Sequence, residues 1–262
     1  GYQGLFRNPL ADPFVIGASS GAALGVAVAV VLGVQVSSVI GVSINSIAAL
    51  LGSLGAVSLV YAIASLGRQV PVLSLLLAGV TVSSFAGALV SLLMFLNDRE
   101  LVAIFHWILG SLAGQGWTEI YSSVPLILIG LVGLWMFSRP LDALTFGDEA
   151  ATALGLNLTR YRPAIVLAAS LTTAAAVSAA GTIGFIGLIA PHVARFLVGA
   201  RHAYVIPASA LVGGILLVLA DGLARTLAAP AELPVGVVTA LLGSPFFLIL
   251  LKTRQRELGA AS

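Results

Sequence analysis

Long apolar stretches alternate with short polar segments along the chain of 262 residues. Most of these stretches reach the roughly 20 residues that a helix needs to cross the hydrocarbon core of a bilayer. Their apolar runs are continuous, whereas the strands of a membrane β-barrel alternate over about ten residues. The pattern therefore predicts an all-α, polytopic transmembrane helix bundle in a single domain over residues 1–262. The candidate spans are Pro13–Val34, Ile40–Leu66, Pro71–Leu96, Thr118–Ser138, Pro163–Thr182, Gly184–Gly199, Tyr204–Ala228 and Pro234–Leu251.

One polar segment, Ser138–Arg162, is much longer than the others and lies between two candidate spans. We call it the polar island. Its charged side chains are those of Arg139, Asp142, Asp148, Glu149, Arg160 and Arg162. A charged, helical loop of this length at a membrane face is a candidate docking surface for a soluble partner.

Composition supports the membrane interpretation. Only 8% of the residues are charged and 59% are hydrophobic, whereas a soluble domain has roughly 25% charged residues. The 29 glycines favour close packing of helices in lipid, where small residues let backbones approach each other. The absence of cysteine excludes disulfides and thiolate chemistry, and the net charge of +2 gives no indication of nucleic-acid binding.

The distribution of Lys and Arg predicts the orientation of the spans, because cytoplasmic loops are enriched in these residues. If the first loop is cytoplasmic, ten of the twelve basic residues lie inside, and only Arg99 and Arg225 lie outside. Both ends of this chain, and the polar island, are then cytoplasmic.

The first short motif surrounds Asp12-Pro13 and continues through Gly17, Ser20 and Gly21. Asp12 is suited to cap a helix that begins at Pro13, and the small residues offer a face against which another helix can lie. On the residues alone, a turn and a helix start without chemistry is the simpler interpretation.

A second motif combines Gly181, Gly184 and Gly187 with Pro191 and His192. Glycine and proline breaks at membrane depth must face protein or water, and they mark gates or pathways in transporters. An ionisable residue inside a membrane is a functional candidate by default, although a packing histidine beside a proline is an equal alternative here.

Asp221 and Arg225 form a third motif, because residues four apart share a helix face and can pair. Either an internal salt bridge or contact of Arg225 with an external partner fits the spacing.

The segment 97–116 is predicted to hold an external amphipathic helix with Leu101, Ile104, Phe105 and Ile108 on one face and His106 and Trp107 as anchors; a loop that extends the next span is the alternative.

The residues alone also allow two other classes of function. An ion-coupled secondary transporter or channel needs carboxylates inside the membrane; Asp221 lies within a candidate span but has Arg225 beside it. A membrane enzyme could use His192 and Asp221 as an acid–base pair, but no nucleophile accompanies them. The chain has no Walker loop, so it does not bind ATP through a P-loop.

Taken together, seven segments in order resemble the permease family of bacterial ABC importers for iron–siderophore complexes, haem and cobalamin, which have the type II importer fold. The matching segments are RNPLADPFVIGASSGAALG at 7–25, LLLAGVTVSS at 75–84, WILGSLAG at 107–114, GDEAATALGLN at 147–157, GTIGFIGLIAPHVARFLVG at 181–199, LADGLAR at 219–225 and ELPVGVVTALLGSPFFLILL at 232–251.

The resemblance implies a transport subunit of the cytoplasmic (inner) membrane that is not itself an enzyme and binds no cofactor. ATP and magnesium are used by two cytoplasmic ATPase subunits, a second permease subunit completes the pathway, and a periplasmic or lipid-anchored binding protein delivers the substrate. Iron(III)–siderophore is the expected substrate, with haem and cobalamin as alternatives. Family members usually have ten spans, so residues 1–6 are interpreted as the tail of the second span and the chain as N-terminally incomplete.

The resemblance also assigns roles to residues. The loop 139–162 is the expected cytoplasmic coupling loop and carries short coupling helices, with the helical stretch Leu141–Leu154 as the docking element and Gly147 and Gly155 at its turns. Its candidate contact residues are Leu141, Asp142, Gly147, Asp148, Glu149, Ala153, Leu154 and Gly155. Arg225, and more weakly Arg99, are expected to meet the binding protein. The gate is expected near Arg68 and Pro71, and the remaining pathway or helix-packing candidates are Gly17, Ser20, Gly21, Gly181, Gly184, Gly187, Pro191 and His192.

Overall fold

The computed structural model describes residues 1–33, 43–65 and 71–259, with side chains described as far as residue 248. Within these ranges the secondary structure is helical and contains no strand, which confirms the predicted all-α fold. A short 3-10 helix covers Pro13–Ile16. The α-helices are α1 Tyr2–Leu5, α2 Ala18–Val31, α3 Ile44–Ala64, α4 Val72–Leu96, α5 Leu101–Leu109, α6 Trp117–Met136, α7 Ser138–Thr145, α8 Asp148–Ala153, α9 Leu158–Ala180, α10 Ile186–Val198, α11 His202–Thr226 and α12 Val235–Gly259.

Five helices, α3, α4, α6, α9 and α11, are long and apolar enough to cross a membrane. Three further apolar helices are shorter: α2, α10 and the part of α12 over Val235–Leu248. A helix overlaps each of the eight predicted spans, although the ends differ by a few residues at most of them. Many large apolar side chains of α4, α6 and α11 are exposed, as expected for helices whose solvent is lipid.

The first predicted span, Pro13–Val34, is not one continuous helix. Asp12 caps the 3-10 helix, since its Oδ1 accepts a hydrogen bond from the amide of Phe14 at 2.8 Å. Gly17 then has a φ of +83°, a left-handed conformation that glycine adopts without strain, and α2 begins after it. The helix start predicted at Pro13 is therefore a short 3-10 helix, and the α-helix of this span begins at Ala18.

Small residues bring α2 and α3 into backbone contact. Gly21 and Gly25 of α2 face Gly52 of α3, and a Cβ atom added to Gly52 would lie 2.2 Å from the carbonyl oxygen of Gly21. The predicted packing face thus includes Gly21. Ser20 instead turns its hydroxyl to the carbonyl of Gly17.

A second interruption separates α9 from α10. Residues 181–185 are not helical, and both Gly181 and Phe185 have positive φ, +71° and +67°. The 13 residues of α10 then extend about 20 Å at 1.5 Å per residue, less than the roughly 30 Å of a hydrocarbon core. The helix packs along α11.

Three glycines join α5 to the ends of α9 and α12. Ser111 donates its amide to the carbonyl of Ala180 at 2.9 Å, and Gly236 donates to the carbonyl of Gly110 at 3.3 Å. An added Cβ on Gly110, Gly181 or Gly236 would meet backbone oxygen at 2.1–2.5 Å. The segment 97–116 therefore does contain the predicted helix, but it is fixed to the bundle. Trp107 packs against residues of α2 and α9 and does not stand free as an anchor.

At the other end of the bundle, the polar island forms two short helices, α7 and α8. Gly147, with a φ of +106°, separates them, so the expected stretch Leu141–Leu154 consists of two short helices with a turn at Gly147, as predicted. Residues 158–162 belong to α9, because Asn157 caps that helix through the amide of Arg160.

Candidate functional site

The helix pair α7–α8 is seated on the bundle by an apolar underside. Leu141, Leu144 and Ala151 are each at most 1% exposed and belong to the largest buried cluster of the described chain. That cluster also contains Ile165 of α9 and Val60 of α3. Leu141, one of the predicted contact residues, therefore holds the pair in place and does not face a partner.

The opposite side of the pair is open. Phe146 and Leu154 are 77% and 72% exposed, and Glu149 and Ala153 are exposed between them in sequence. We call Phe146, Glu149, Ala153 and Leu154 the docking face. Gly155, with a φ of +83°, makes the turn that follows α8. Large exposed apolar side chains, aromatic ones above all, at the end of a bundle are typical of a protein contact surface.

Asp142, predicted to face the partner, is instead bonded to the N-terminus of α11. Its Oδ1 accepts a hydrogen bond from the backbone amide of His202 at 3.0 Å and lies 2.6 Å from the ring Nδ1 of the same residue. His202 is buried. Nothing in the sequence indicated this contact, because the two residues are 60 positions apart.

Asp148 is also bonded within the chain. Its Oδ2 lies 2.6 Å from Nη2 of Arg162, whose side chain is only 7% exposed. In the sequence, Arg162 is one of the charged residues of the polar island. In the structure, Arg162 is buried in the second turn of α9, next to α8. A buried guanidinium needs such a carboxylate, because an uncompensated charge in this position is costly.

Basic residues gather at this end of the bundle. The guanidinium of Arg7 lies beside Gly147, Arg195 of α10 bonds the side chain of Gln3, and Arg201 immediately precedes α11. Arg99 and Arg225 lie towards the opposite end, after α4 and near the end of α11. Among the described residues, the structure thus places Arg7, Arg195 and Arg201 at one end and Arg99 and Arg225 towards the other, as the charge count separated them along the sequence.

The two helix interruptions meet inside the bundle. A cavity of about 270 Å³ is lined by Asp12 and Pro13 at the start of the 3-10 helix, by Gly181 and Ile183 of the second interruption, and by Gly187 in the first turn of α10. A neighbouring cavity of about 550 Å³ shares Pro13 and Gly187 and extends past Pro191 between α6, α9, α10 and α11. Among the pathway candidates, Gly181, Gly187 and Pro191 are therefore brought together.

The other pathway candidates lie elsewhere. Gly17 packs near α3 and α4, and Gly184 has open space around it. The ring of His192 meets Phe246 of α12 edge-on at 6.5 Å. Pro71 is exposed just ahead of α4, and Arg68 lies outside the described residues.

Arg225 is paired on its own helix. Its Nε lies 2.8 Å from Asp221 Oδ2, and its Nη1 lies 3.9 Å from Glu232 Oε1. The side chain stays 44% exposed, so an external partner can still reach it. Arg99 is exposed in the turn before α5. Across residues 1–33, 43–65 and 71–248, no group of three His, Asp or Glu side chains is placed to hold a metal ion.

Comparison with known proteins identifies the family to which the chain is similar. The model of the FecCD transport family matches residues 1–253. The cobalamin import system permease protein BtuC of Halobacterium salinarum is 44% identical over 253 residues, which cover 97% of this chain and 67% of that protein. The hemin transport system permease protein HmuU of Yersinia pestis is 40% identical, with 97% and 76% covered, and the Fe(3+) dicitrate transport system permease protein FecD of Escherichia coli is 36% identical, with 95% and 76% covered.

A solved structure supports the same conclusion. An inward-facing conformation described as a metal-chelate type ABC transporter superposes with a TM-score of 0.85 at 33% sequence identity, over 95% of this chain and 79% of the other. The resemblance stated from the seven sequence segments is therefore confirmed. The chain belongs to the FecCD transport family.

Proposed function

We propose that this chain is the permease subunit of an ATP-driven importer that carries iron(III)–siderophore complexes across the cytoplasmic membrane. The relatives named for cobalamin, hemin and ferric dicitrate all transport large metal chelates, which supports this substrate class. Haem and cobalamin are the alternative substrates within it. The chain itself performs no chemistry and binds no cofactor, and ATP and magnesium are used by the partner ATPase.

The observation that carries the proposal is the docking face on the helix pair α7–α8. Phe146 and Leu154 stand out from the end of the bundle while the underside of the pair is buried. An ATPase with an apolar groove would cover both side chains and exclude water from them, which is the main source of affinity in such contacts. Two such permease subunits would engage two ATPase subunits.

The orientation of the chain in the membrane follows from the positions of its arginines. Since Arg7, Arg162, Arg195 and Arg201 lie at the α7–α8 end, the positive-inside rule assigns that end, and both ends of this chain, to the cytoplasm. The ATPases then bind inside, and a periplasmic or lipid-anchored binding protein meets the opposite end near Arg225. There, Asp221 holds the guanidinium of Arg225 at the surface, ready for acidic groups on that protein.

In the proposed mechanism, ATP binding closes the ATPase dimer and moves the docked helix pairs. Because the underside of each pair is packed into the bundle, the long helices tilt with it as bodies. The path between two permease subunits then changes the side to which it is open. Hydrolysis of ATP to ADP and phosphate by the ATPase subunits, and release of both products, would let the dimer open and reset the cycle.

The experiment is uptake into proteoliposomes that contain this chain, its ATPase and a chelate-loaded binding protein. We expect uptake of an iron(III)–siderophore complex that requires ATP inside and is unaffected by a protonophore. Haem and cobalamin, offered in the same assay, identify the substrate within the class. Uptake that proceeds without ATP and collapses with the proton gradient would contradict the proposal and favour an ion-coupled carrier.

A further inference from the structure

The helix pair α7–α8 is attached to the bundle in two different ways. Leu141, Leu144 and Ala151 provide apolar contacts, which are non-directional and allow sliding. Asp142 and Asp148 provide short, oriented polar contacts of 2.6 Å. Charge-assisted hydrogen bonds of this length are stronger and more directional than neutral ones.

The two carboxylates reach two different long helices. Asp142, on α7, holds both the first amide and the ring of His202, and so holds the N-terminus of α11. Asp148, the first residue of α8, holds Arg162 in the second turn of α9. Each short helix is therefore linked to its own long helix.

The linked helices are the ones that border the cavities. α9 contributes Thr172 and Thr173 to both cavities, and α11 contributes Ser209 and Gly213 to the larger one. A rotation of α9 against α11 changes the space between them. Asp142 and Asp148 therefore bond to the N-terminal ends of α11 and α9, the two helices whose relative rotation would change the cavities.

We propose that Asp142 and Asp148, whose side chains are 38% and 41% exposed, act as positioning residues that transmit the movement of α7–α8 to α11 and α9, while the docking face makes the main contact with the ATPase. The proposal rests on the proposed function. It separates two neighbours in the sequence: Asp148 acts inward on Arg162, whereas the exposed Glu149 acts outward on the partner.

The test uses the complete importer in proteoliposomes and three readouts: assembly with the ATPase, ATP hydrolysis, and substrate taken up per ATP hydrolysed. For Asp142→Asn and Asp148→Asn we expect assembly within about twofold of wild type, and uptake per ATP lower by at least about fivefold, the lower end of typical coupling between sites. Glu149→Arg is expected to weaken assembly instead. Asp98→Asn, an exposed carboxylate at the opposite end, is the matched control and should leave all three readouts unchanged.

The exchange variant Asp148→Arg/Arg162→Asp guards against a simple folding defect. We expect it to keep a charge pair between α8 and α9 and to recover much of the uptake per ATP that Asp148→Asn loses. An exchange variant that is folded and assembled, yet as uncoupled as Asp148→Asn, would overturn the proposal. So would Asn variants that transport normally, or that lose assembly as Glu149→Arg does. If the wild-type chain itself does not assemble with the ATPase, it is the proposed function that fails.

Discussion

Single residues in this chain divide the polar island into an inward and an outward set. Asp142 and Asp148 bond within the chain although their side chains are 38% and 41% exposed, whereas Phe146, Glu149 and Leu154 are the more exposed residues of the helix pair. The sequence predicted that the island holds a partner surface, and it named Glu149, Ala153 and Leu154. It could not separate Asp148 from Glu149, because the difference depends on Arg162, whose burial results from the packing of α8 over α9.

Arg225 is the residue where the outer partner is expected. Arg225→Gln should lower the affinity for the loaded binding protein several-fold and make that affinity less sensitive to salt, because rim charges act through screened, long-range attraction. Arg99→Gln, which changes an exposed arginine without a carboxylate to orient it, should have the smaller effect. Binding measured by surface plasmon resonance between 50 and 500 mM salt, about the range over which such attraction fades, provides the comparison. Equal affinities and equal salt slopes for Arg225→Gln and wild type would exclude Arg225 from this contact.

At the scale of elements, the sequence located the helices and one of their two interruptions. The motif around Gly181, Gly184 and Gly187 did predict a loosened helix, and residues 181–185 are non-helical. The sequence did not predict the break at Gly17. Asp12 followed by Pro13 is typical of a helix start, and here these residues start a 3-10 helix rather than α2. The sequence also could not predict the close contact among Gly110, Gly181 and Gly236, because these residues are far apart in the chain.

The contact between α2 and α3 gives an element-scale prediction. Gly52→Ala places a methyl group 2.2 Å from the carbonyl oxygen of Gly21, so the two helices must separate. Such overpacking costs about 1–3 kcal/mol. Gly55→Ala, three residues further along α3 and facing open space, is the matched control with the same gain in helix propensity. Thermal unfolding in detergent should therefore begin at a clearly lower temperature for Gly52→Ala than for Gly55→Ala, and identical curves would contradict the close contact.

For the whole molecule, the central assignment is which end faces the cytoplasm. The absence of cysteine makes the natural chain a ready background for labelling. Ala153→Cys at the docking face and Ala113→Cys at the opposite end both replace an exposed alanine. In intact cells, a membrane-impermeant maleimide should label position 113 and reach position 153 only after the membrane is opened. The reverse pattern would invert the orientation and remove the ATPase from α7–α8.

Family membership and an all-α membrane bundle could be reached from the sequence, because hydropathy and short motifs are local properties. The cavity between the two interruptions, and the links from Asp142 to His202 and from Asp148 to Arg162, are tertiary and needed the structure. On the proposals above, the exposed side of α7–α8 contacts the ATPase, and Asp142 and Asp148 pass the movement of the helix pair to α11 and α9.

The most direct test of this account is the affinity of the purified ATPase for the chain in lipid nanodiscs, measured for wild type, Phe146→Asp and the control Gln115→Asp. Phe146 is 77% exposed at the docking face, and Gln115 is exposed at the opposite end. A charge in place of a central apolar anchor should weaken binding by about tenfold or more. We therefore expect a Kd at least tenfold higher for Phe146→Asp and an unchanged Kd for Gln115→Asp; an unchanged Kd for Phe146→Asp would contradict the assignment of α7–α8 as the ATPase docking surface.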